Sequence, residues 1–378
     1  MLRKYSQRKK SQLMKKNPFK FGSIVEEPYF TNRIEEIKKV KSILASDNHL
    51  ILISPRRYGK TSLISKVIKE IDRTVIFLDL QLLANTEDFA AQLLKRVYRI
   101  YPFEKLKQIL KTFRIIPNIS INPMNNEVDI SFQPVSSTSI LVEDVLNLIE
   151  RVSDKKKKLI VVFDEFQEIK NIEKELDRKL RTIIQHHQKI NYVFLGSQES
   201  LMRDIFEKKK SPFYHFGYVL PLDKIPDQEF LAYLSSGLAT VTVNFEETVK
   251  GILDITKAHP YYTQQLAFTV WELLKSTDEI ENPVEQAVEE IIRYHDMDYE
   301  RLWNTINRTD MKILIGMSLS DSTPLSSEFS KKYFAGASST IFSGLKRLAL
   351  NGLVIKSKFG YEIDDPFFKR WIMNRRLA

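Results

Sequence analysis

Buried-strand and helical patterns alternate along the first two thirds of the chain. An apolar run, Leu50–Ile53, is followed by apolar residues at helical spacing between Ser62 and Ile71. Four further apolar runs have the length and composition of buried strands, at Val75–Leu78, Leu159–Phe163, Tyr192–Leu195 and Tyr218–Leu222. Because strands that alternate with helices form parallel sheets, this pattern predicts an α/β fold with a parallel sheet covered by helices on both faces.

One segment interrupts this alternation. Residues 112–138 contain two short β-like runs on either side of an Asn-rich turn at Asn122–Asn126, which predicts an inserted β-hairpin. Such a hairpin serves as a lid or a partner contact in some proteins, and in others it is a passive surface elaboration. The pattern leaves these roles open.

The remainder of the chain is mainly helical. Helical spacing from Asp227 to about Tyr299, with caps or breaks at Asp227, Pro260 and Pro283, predicts a helical subdomain. From Arg308 onward, three helices precede a strand pair around Gly360, an order typical of a winged helix. The predicted divisions are a basic flexible tail at residues 1–17, a core at 18–224, the helical subdomain at 225–300 and the winged helix at 301–378.

The composition describes a soluble globular protein. The 378 residues are 43% hydrophobic and 28% charged. There is no cysteine, which excludes disulfides and thiolate metal sites, and the six histidines lack the H-E-x-x-H spacing of a zinc site. No apolar run approaches the ~20 residues that cross a bilayer, and the N-terminus lacks the apolar segment of a secretion signal. We therefore expect a cytoplasmic protein without a membrane partner.

The net charge of +10 is concentrated at the N-terminus. Residues 1–20 contain eight lysines and arginines and no acidic residue, so the rest of the chain is nearly neutral. A basic, unpatterned tail is typical of a disordered segment that attaches electrostatically to DNA, RNA or an acidic partner. Alternatively, Met14 is the natural start, because the globular pattern begins only near Pro18.

A phosphate-binding loop is predicted after the first strand. Gly59 lets the backbone approach a ligand, Lys60 can reach the β- and γ-phosphates, and Thr61 can ligate Mg²⁺. The whole predicted loop consists of Ser54, Pro55, Arg56, Arg57, Tyr58, Gly59, Lys60, Thr61 and Ser62. Ser54 stands where G-x-x-x-x-G-K-[ST] has its first glycine, and an ordinary buried strand, turn and helix is the alternative.

Two acidic residues follow the third buried strand. Asp164 can hold Mg²⁺ through its water shell, and Glu165 can polarise the water that attacks a γ-phosphate. A strand that merely ends in acids at the surface is the alternative. Ser197 and Gln198 end the next predicted strand, where a polar group could contact the γ-phosphate or the attacking water, although Gly-Ser is also ordinary turn sequence. We assign catalytic roles to Glu165, Lys60 and Ser197.

Six segments together resemble a known family. They are Phe30-Thr-Asn-Arg-Ile-Glu-Glu36, Pro55-Arg-Arg-Tyr-Gly-Lys-Thr61, Phe163-Asp-Glu165, Gly196-Ser197, Ala258-His-Pro-Tyr261 and Asp365-Pro-Phe-Phe-Lys-Arg-Trp371. In this order they resemble the archaeal-type predicted ATPases of the STAND class, which are related to AAA+ proteins. The resemblance implies a P-loop NTPase core and a helical lid that hold ATP and Mg²⁺ between them.

The resemblance also assigns residues outside the loop. Asn32 and Arg33 would lie near the adenine and ribose, and Pro260 in the lid would pack near the base or sugar. Simpler alternatives are that Arg33 is a helix-surface cation and that Pro260 only starts a helix.

Departures from the family pattern bear on activity. Ser54 and Ala258 stand where the family has glycine, and Tyr218 occupies a position where an arginine is often found. An arginine that contacts the γ-phosphate is worth ~10³–10⁵ in turnover, so without one from a protein partner or a second copy we expect slow hydrolysis of ATP to ADP. This favours a nucleotide-controlled switch, and a nucleotide-binding scaffold with negligible hydrolysis is an alternative.

The predicted winged helix offers a further alternative. Its helix Ser338–Leu350 carries Lys346 and Arg347 outside an apolar face, and Lys356 and Lys358 lie in the predicted wing. A recognition helix in a major groove would have such a layout, so ATP-regulated DNA binding is a second hypothesis. The cations are few, however, and a structural winged helix that contacts the nucleotide domain is also consistent with the resemblance.

Overall fold

A computed structural model of the chain describes residues 16–121, 124, 128–132, 138–276, 280–320, 323–357 and 360–376. Nearly all of the predicted basic tail, the candidate start Met14 and Lys358 lie outside the described residues. The same holds for the Asn-rich turn, apart from Met124. In the described ranges, no helix is long and apolar enough to cross a membrane.

The chain divides into two compact units. One consists of Arg33–Asp223, and the other combines the segment before Arg33 with Lys224–Ala378. The predicted division at 300/301 falls within a single helix, Pro283–Thr305. The four-part domain division stays a prediction.

In its described residues, the first unit contains seven strands and a series of helices. The strands are β1 (Leu50–Ile53), β2 (Val75–Asp79), β3 (Asn118–Ile121), β4 (Val128–Ser131), β5 (Leu159–Asp164), β6 (Ile190–Gly196) and β7 (Tyr218–Pro221). The α-helices are Ile34–Ala45, Lys60–Glu70, Thr86–Ile100, Phe103–Leu110, Thr138–Val152, Ile169–Ile172, Leu176–Ile184 and Glu199–Phe206, and short 3₁₀ helices lie at Leu80–Leu82 and Phe166–Glu168. Five of these strands form a parallel sheet in the order β2-β5-β6-β1-β7, which confirms the predicted fold class.

Burial explains the positions of the strands in this sheet. The three central strands, β5, β6 and β1, are buried along their whole length, as their continuous apolar runs predict for a sheet covered on both faces. The register pairs Ile53 with Gly196 and Phe163 with Phe194. Because the strands are parallel, Asp164, which ends β5, lies at the same edge of the sheet as Ser54 and Ser197, which follow β1 and β6.

An antiparallel strand pair lies within the segment that was predicted to be an inserted hairpin. Strands β3 and β4 pair in antiparallel register, with Ile119 opposite Ile130. Ile130 is buried and packs with the core, whereas Asp129 and Ser131 are exposed. This alternation fixes which face of the hairpin meets the rest of the unit.

The second unit contains the helical subdomain and the winged helix. The helices of the subdomain are Asp227–Leu238, Phe245–Thr256, Pro260–Ser276 and Pro283–Thr305. The winged helix follows with helices Arg308–Leu319, Ser327–Tyr333 and Ser338–Leu350, the antiparallel strands β8 (Val354–Ser357) and β9 (Gly360–Ile363), and the helix Pro366–Arg376. Asn307 Oδ1 accepts a hydrogen bond from Asp310 N at 3.0 Å and caps the helix Arg308–Leu319.

The segment before Arg33 packs differently from its prediction. Residues 18–32 were predicted to belong to the core domain, whereas they pack within the second unit. Phe19 is buried there, and its ring lies so close to Gly237 that an added Cβ would be 2.5 Å from it. Asn17 Nδ2 donates to Phe268 O at 3.1 Å, and Tyr233 Oη donates to Pro18 O at 2.9 Å. The need to bury Phe19 accounts for this placement.

Candidate functional site

The loop after β1 contains two left-handed residues and leads directly into a helix. Gly59 and Arg57 have positive φ angles of 87° and 66°, and the helix Lys60–Glu70 begins directly after Gly59. Its first N–H groups are those that a helix leaves without backbone partners. Ser54 is buried and is not among the residues with positive φ, so its backbone does not require the glycine that it replaces. Its hydroxyl donates to Pro55 O at 3.1 Å.

Lys60 is a buried cation held by carbonyl groups of its own loop. Its Nζ donates to Ser54 O and to Pro55 O, each at 3.2 Å. Burial lowers the pKa of Lys60, while the charges of Glu165 and Asp164 act in the opposite direction. A phosphate would give this ammonium group the close anionic partner that the two carbonyls do not supply.

The two predicted magnesium ligands lie in contact. Thr61 Oγ1 donates to Asp164 Oδ2 at 3.0 Å, which joins the start of the loop helix to the end of β5. Burial raises the pKa of Asp164, and the charge of Glu165 adds to this effect. In the described part of the chain, no group of three or more His, Cys, Asp or Glu side chains could hold a metal. A hydroxyl and one carboxylate fit Mg²⁺, which usually keeps several waters and phosphate oxygens as its other ligands.

Glu165 and Ser197 are also brought together. Glu165 Oε2 accepts hydrogen bonds from Ser197 Oγ at 2.6 Å and from Ser197 N at 3.3 Å. The backbone of Glu165 is left-handed, with φ 50°. A residue other than glycine in this region is strained, and such strain concentrates at functional sites. Asp164, which ends β5, is buried, and Glu165 is bonded to Ser197, so these two residues are not merely surface acids at a strand end.

Sequence reasoning missed one member of this cluster. Gln167 is buried, and its Nε2 donates to Glu165 Oε2 at 2.5 Å. The available signal was that Gln167 directly follows the apolar Phe166 in a segment just after a buried strand. No pattern rule separates such a residue from a surface glutamine.

Arg33 contacts the loop after β1. Its side chain is buried, Nη2 donates to Tyr58 O at 3.2 Å, and Nη1 pairs with Glu36 Oε1 at 2.8 Å. The alternative of a helix-surface cation is therefore wrong. The roles of Arg33 and Asn32 near adenine and ribose stay predictions.

The other predicted loop residues differ in exposure. Tyr58 is buried, Pro55 and Ser62 are half-buried, and Arg56 and Arg57 are exposed. Arg56 lies close enough to Lys60 for its positive charge to add to the lowering of the Lys60 pKa. The loop thus concentrates positive charge, as a polyphosphate site requires.

In the second unit, Pro260 starts a helix. Two left-handed residues precede it, Lys257 with φ 49° and Ala258 with φ 54°, which explains a glycine preference at position 258. His259 Nδ1 accepts hydrogen bonds from Tyr261 N at 3.2 Å and Tyr262 N at 3.4 Å, so the ring caps the helix. The predicted contact of Pro260 with a base or sugar stays a prediction.

The strand order and the loop after β1 place the first unit among the P-loop ATPases. Residues 30–266 match the family described as an ATPase domain predominantly from Archaea, and the chain belongs to that family. Residues 297–374 match a probable winged helix domain. The finer assignment to the STAND class stays a prediction.

Solved structures share this fold. The Walker-type ATPase PABY2304 of Pyrococcus abyssi has a TM-score of 0.68 at 18% sequence identity, over 94% of this chain and 99% of that chain. The ORC2 protein of Aeropyrum pernix in its ADPNP-ADP complexes has a TM-score of 0.52 at 15% identity, over 95% of this chain and 100% of that chain. Among curated proteins, none matches the sequence.

Proposed function

We propose that this protein binds ATP with Mg²⁺, hydrolyses it slowly to ADP and phosphate, and uses the bound nucleotide as a switch. The observation that carries the proposal is the contact of Thr61 Oγ1 with Asp164 Oδ2 at 3.0 Å, next to a buried Lys60. These three groups are the ones that hold the metal and the terminal phosphates in P-loop ATPases. Membership of the ATPase family supports the same conclusion.

Each residue of the cluster has a distinct chemical role in this proposal. The N–H groups at the start of the helix Lys60–Glu70 bind the phosphates, and Lys60 orients the β- and γ-phosphates. Thr61 and Asp164 would hold Mg²⁺, which supplies positive charge against the phosphate oxygens. Glu165 accepts the proton of the attacking water, and Ser197 keeps the Glu165 carboxylate in place through its hydroxyl.

The expected rate is low because the position after Gly217 is not an arginine. Tyr218 stands there. A partner protein or a second copy of the chain would have to supply the missing cation. Slow turnover keeps each nucleotide state populated for long enough to act as a signal. In this proposal Asn32 and Arg33 contact adenine and ribose, and Pro260 contacts the base or sugar, as the resemblance implies.

DNA binding by the winged helix has weaker support. Arg347, one of the two cations on the helix Ser338–Leu350, donates to the buried Asp310 from Nε at 3.1 Å and from Nη2 at 2.7 Å. This bidentate pair holds the guanidinium within its own domain. We therefore favour a structural winged helix. DNA titrations at several salt concentrations test this choice, because salt-dependent affinity would restore the DNA hypothesis.

Single-turnover hydrolysis tests the proposed enzyme. Wild type and Glu165→Gln are each mixed, in the presence of Mg²⁺, with less ATP than enzyme, and the rate of ATP hydrolysis is measured. Nucleotide binding is measured in parallel. We expect Glu165→Gln to keep binding and to lose turnover. Equal, near-zero hydrolysis rates for the two proteins would leave only the hypothesis of a nucleotide-binding scaffold. A loss of ATP binding in Glu165→Gln would assign Glu165 a structural role.

A further inference from the structure

Three hydrogen bonds converge on a single oxygen of Glu165. Oε2 accepts from Ser197 Oγ, from Ser197 N and from Gln167 Nε2, at 2.6, 3.3 and 2.5 Å. Among the described residues, the other oxygen, Oε1, accepts no hydrogen bond. The carboxylate is thus anchored through one oxygen, and the second oxygen remains available as a proton acceptor.

Gln167 is held rigidly in the place from which it donates. It lies in the 3₁₀ turn Phe166–Glu168 directly after Glu165, and only 4% of its surface is exposed. Its Oε1 approaches the backbone of Gly196 so closely that a Cβ there would be 2.7 Å away. The end of β6 therefore provides the space for this amide because residue 196 has no side chain.

The orientation of the amide follows from its partner. A carboxylate oxygen can only accept, so the group that faces Glu165 must be Nε2. This leaves Gln167 Oε1 buried without a hydrogen-bond partner among the described residues. A buried acceptor without a partner destabilises a fold. In this orientation Gln167 Oε1 has no hydrogen-bond partner among the described residues, while Nε2 donates to Glu165.

We infer that Gln167 is a positioning residue for ATP hydrolysis: together with Ser197 it fixes one carboxylate oxygen of Glu165 so that the other accepts the proton of the attacking water. The inference rests on the proposed hydrolysis. Gln167 itself touches neither nucleotide nor water in this scheme, and it acts only through Glu165.

The test compares Gln167→Met, Glu165→Gln, the double variant and wild type, all as the full chain. Methionine keeps the length of the side chain and removes the donor. We expect Gln167→Met to lower kcat by about 10- to 100-fold, because a small displacement of a catalytic group has effects of this size. KM for ATP and the affinity for a fluorescent ATP analogue should stay within about twofold of wild type, because Gln167 does not touch the bound nucleotide in this scheme. In the Glu165→Gln background, Gln167→Met should cause no further loss.

Gln188→Met is the matched control. Gln188 is exposed and lies near the amino end of β6, at the edge opposite to the cluster. This variant should hydrolyse ATP as wild type does. Thermal melting of every variant shows whether the fold is kept.

A second substitution gives a readout that packing alone would not produce. Gln167→Glu replaces the donor by a carboxyl group, which donates only when protonated. Its activity relative to wild type should therefore rise as the pH falls from about 8 to about 6, since two neighbouring carboxylates favour proton uptake.

The outcomes separate the inference from the proposed function. If Gln167→Met keeps the wild-type kcat while Glu165→Gln is inactive, the inference about Gln167 is overturned and the proposed hydrolysis stands. Gln167 has a structural role if Gln167→Met lowers kcat equally in the wild-type and Glu165→Gln backgrounds. The same conclusion follows if Gln167→Met lowers the affinity for ATP together with kcat. Equal rates for wild type and Glu165→Gln overturn both the hydrolysis and the positioning role.

Discussion

His259 Nε2 lies 3.4 Å from Asp364 Oδ1, and both side chains are almost fully buried. His259 precedes the helix that starts with Pro260, and Asp364 follows β9 of the winged helix. His259 Nδ1 accepts backbone N–H groups, and Nε2 is the ring nitrogen that faces the carboxylate. One histidine therefore caps a helix of the helical subdomain and contacts the winged helix.

We expect His259→Ala to destabilise the second unit. The loss of a cap costs about 1 kcal/mol, and a buried carboxylate deprived of its partner adds to this, so we expect about 2–4 kcal/mol in total. Chemical denaturation monitored by tryptophan fluorescence measures the change. His186→Ala, at an exposed histidine, is the control. An unfolding midpoint equal to wild type would show that the 3.4 Å contact contributes no stability.

Lys60→Ala removes the buried ammonium group that the loop carbonyls hold. We expect turnover to fall by at least about 10²-fold and ATP affinity to fall with it, because a preorganised charge at the phosphates is lost. Lys66→Ala, six residues along the same helix, is the matched control, since Lys66 pairs with Glu70 at 3.1 Å. Isothermal titration with ATP and a phosphate-release assay measure both effects. Unchanged activity would mean that the loop is wrongly assigned.

The stability of the first unit should fall in mild acid because of His49. Burial, with smaller contributions from the charges of Lys158, Arg181 and His187, lowers the pKa of His49 from 6.5 to about 4. The unfolded chain therefore binds this proton at a higher pH than the folded chain. The stabilising contribution is complete above pH ~6.5 and is lost as the pH falls toward the folded value, by about 2 kcal/mol between pH ~7.5 and pH ~5.

Urea denaturation at several pH values, for wild type and for His49→Gln, isolates this contribution. The difference in pH dependence between the two proteins is the contribution of His49, since the other titrating groups are common to both. Parallel curves for the two proteins would be incompatible with a lowered pKa of His49 in the folded chain.

Ala258 and Ala267 should respond in opposite ways to replacement by glycine. Ala258 has φ 54°, where glycine relieves strain, whereas Ala267 lies inside the helix Pro260–Ser276. Both side chains are buried, so each substitution removes a methyl group from a similar environment. We expect Ala258→Gly to be the more stable variant by about 1–2 kcal/mol, as measured by chemical denaturation. The reverse order would contradict a strained backbone at Ala258.

The sequence was sufficient to predict the parallel sheet and the helix that follows β1, because each depends on local patterns. The continuous apolar run of β5 predicts a central strand, and the acids Asp164 and Glu165 directly follow it. Gly59 and Lys60 identify the start of a helix within a few residues.

The remaining features depend on contacts between residues distant in sequence. Phe19 is buried against Gly237, and the burial of Arg33 requires Tyr58. Gln167 is recognisable as part of the site only once Gly196 is known to lie beside it. Periodicity describes which face of an element is apolar, but it does not name the distant partner of a polar side chain.

The close packing at the end of β6 has a consequence for variation among relatives. A Cβ on residue 196 would lie 2.3 Å from Met202 Sδ and 2.7 Å from Gln167 Oε1. Alanine at 196 therefore becomes acceptable only when both neighbours are smaller or differently placed. In an alignment of this family, positions 167, 196 and 202 should covary, and chains that lack the glycine should also lack the amide that holds the glutamate.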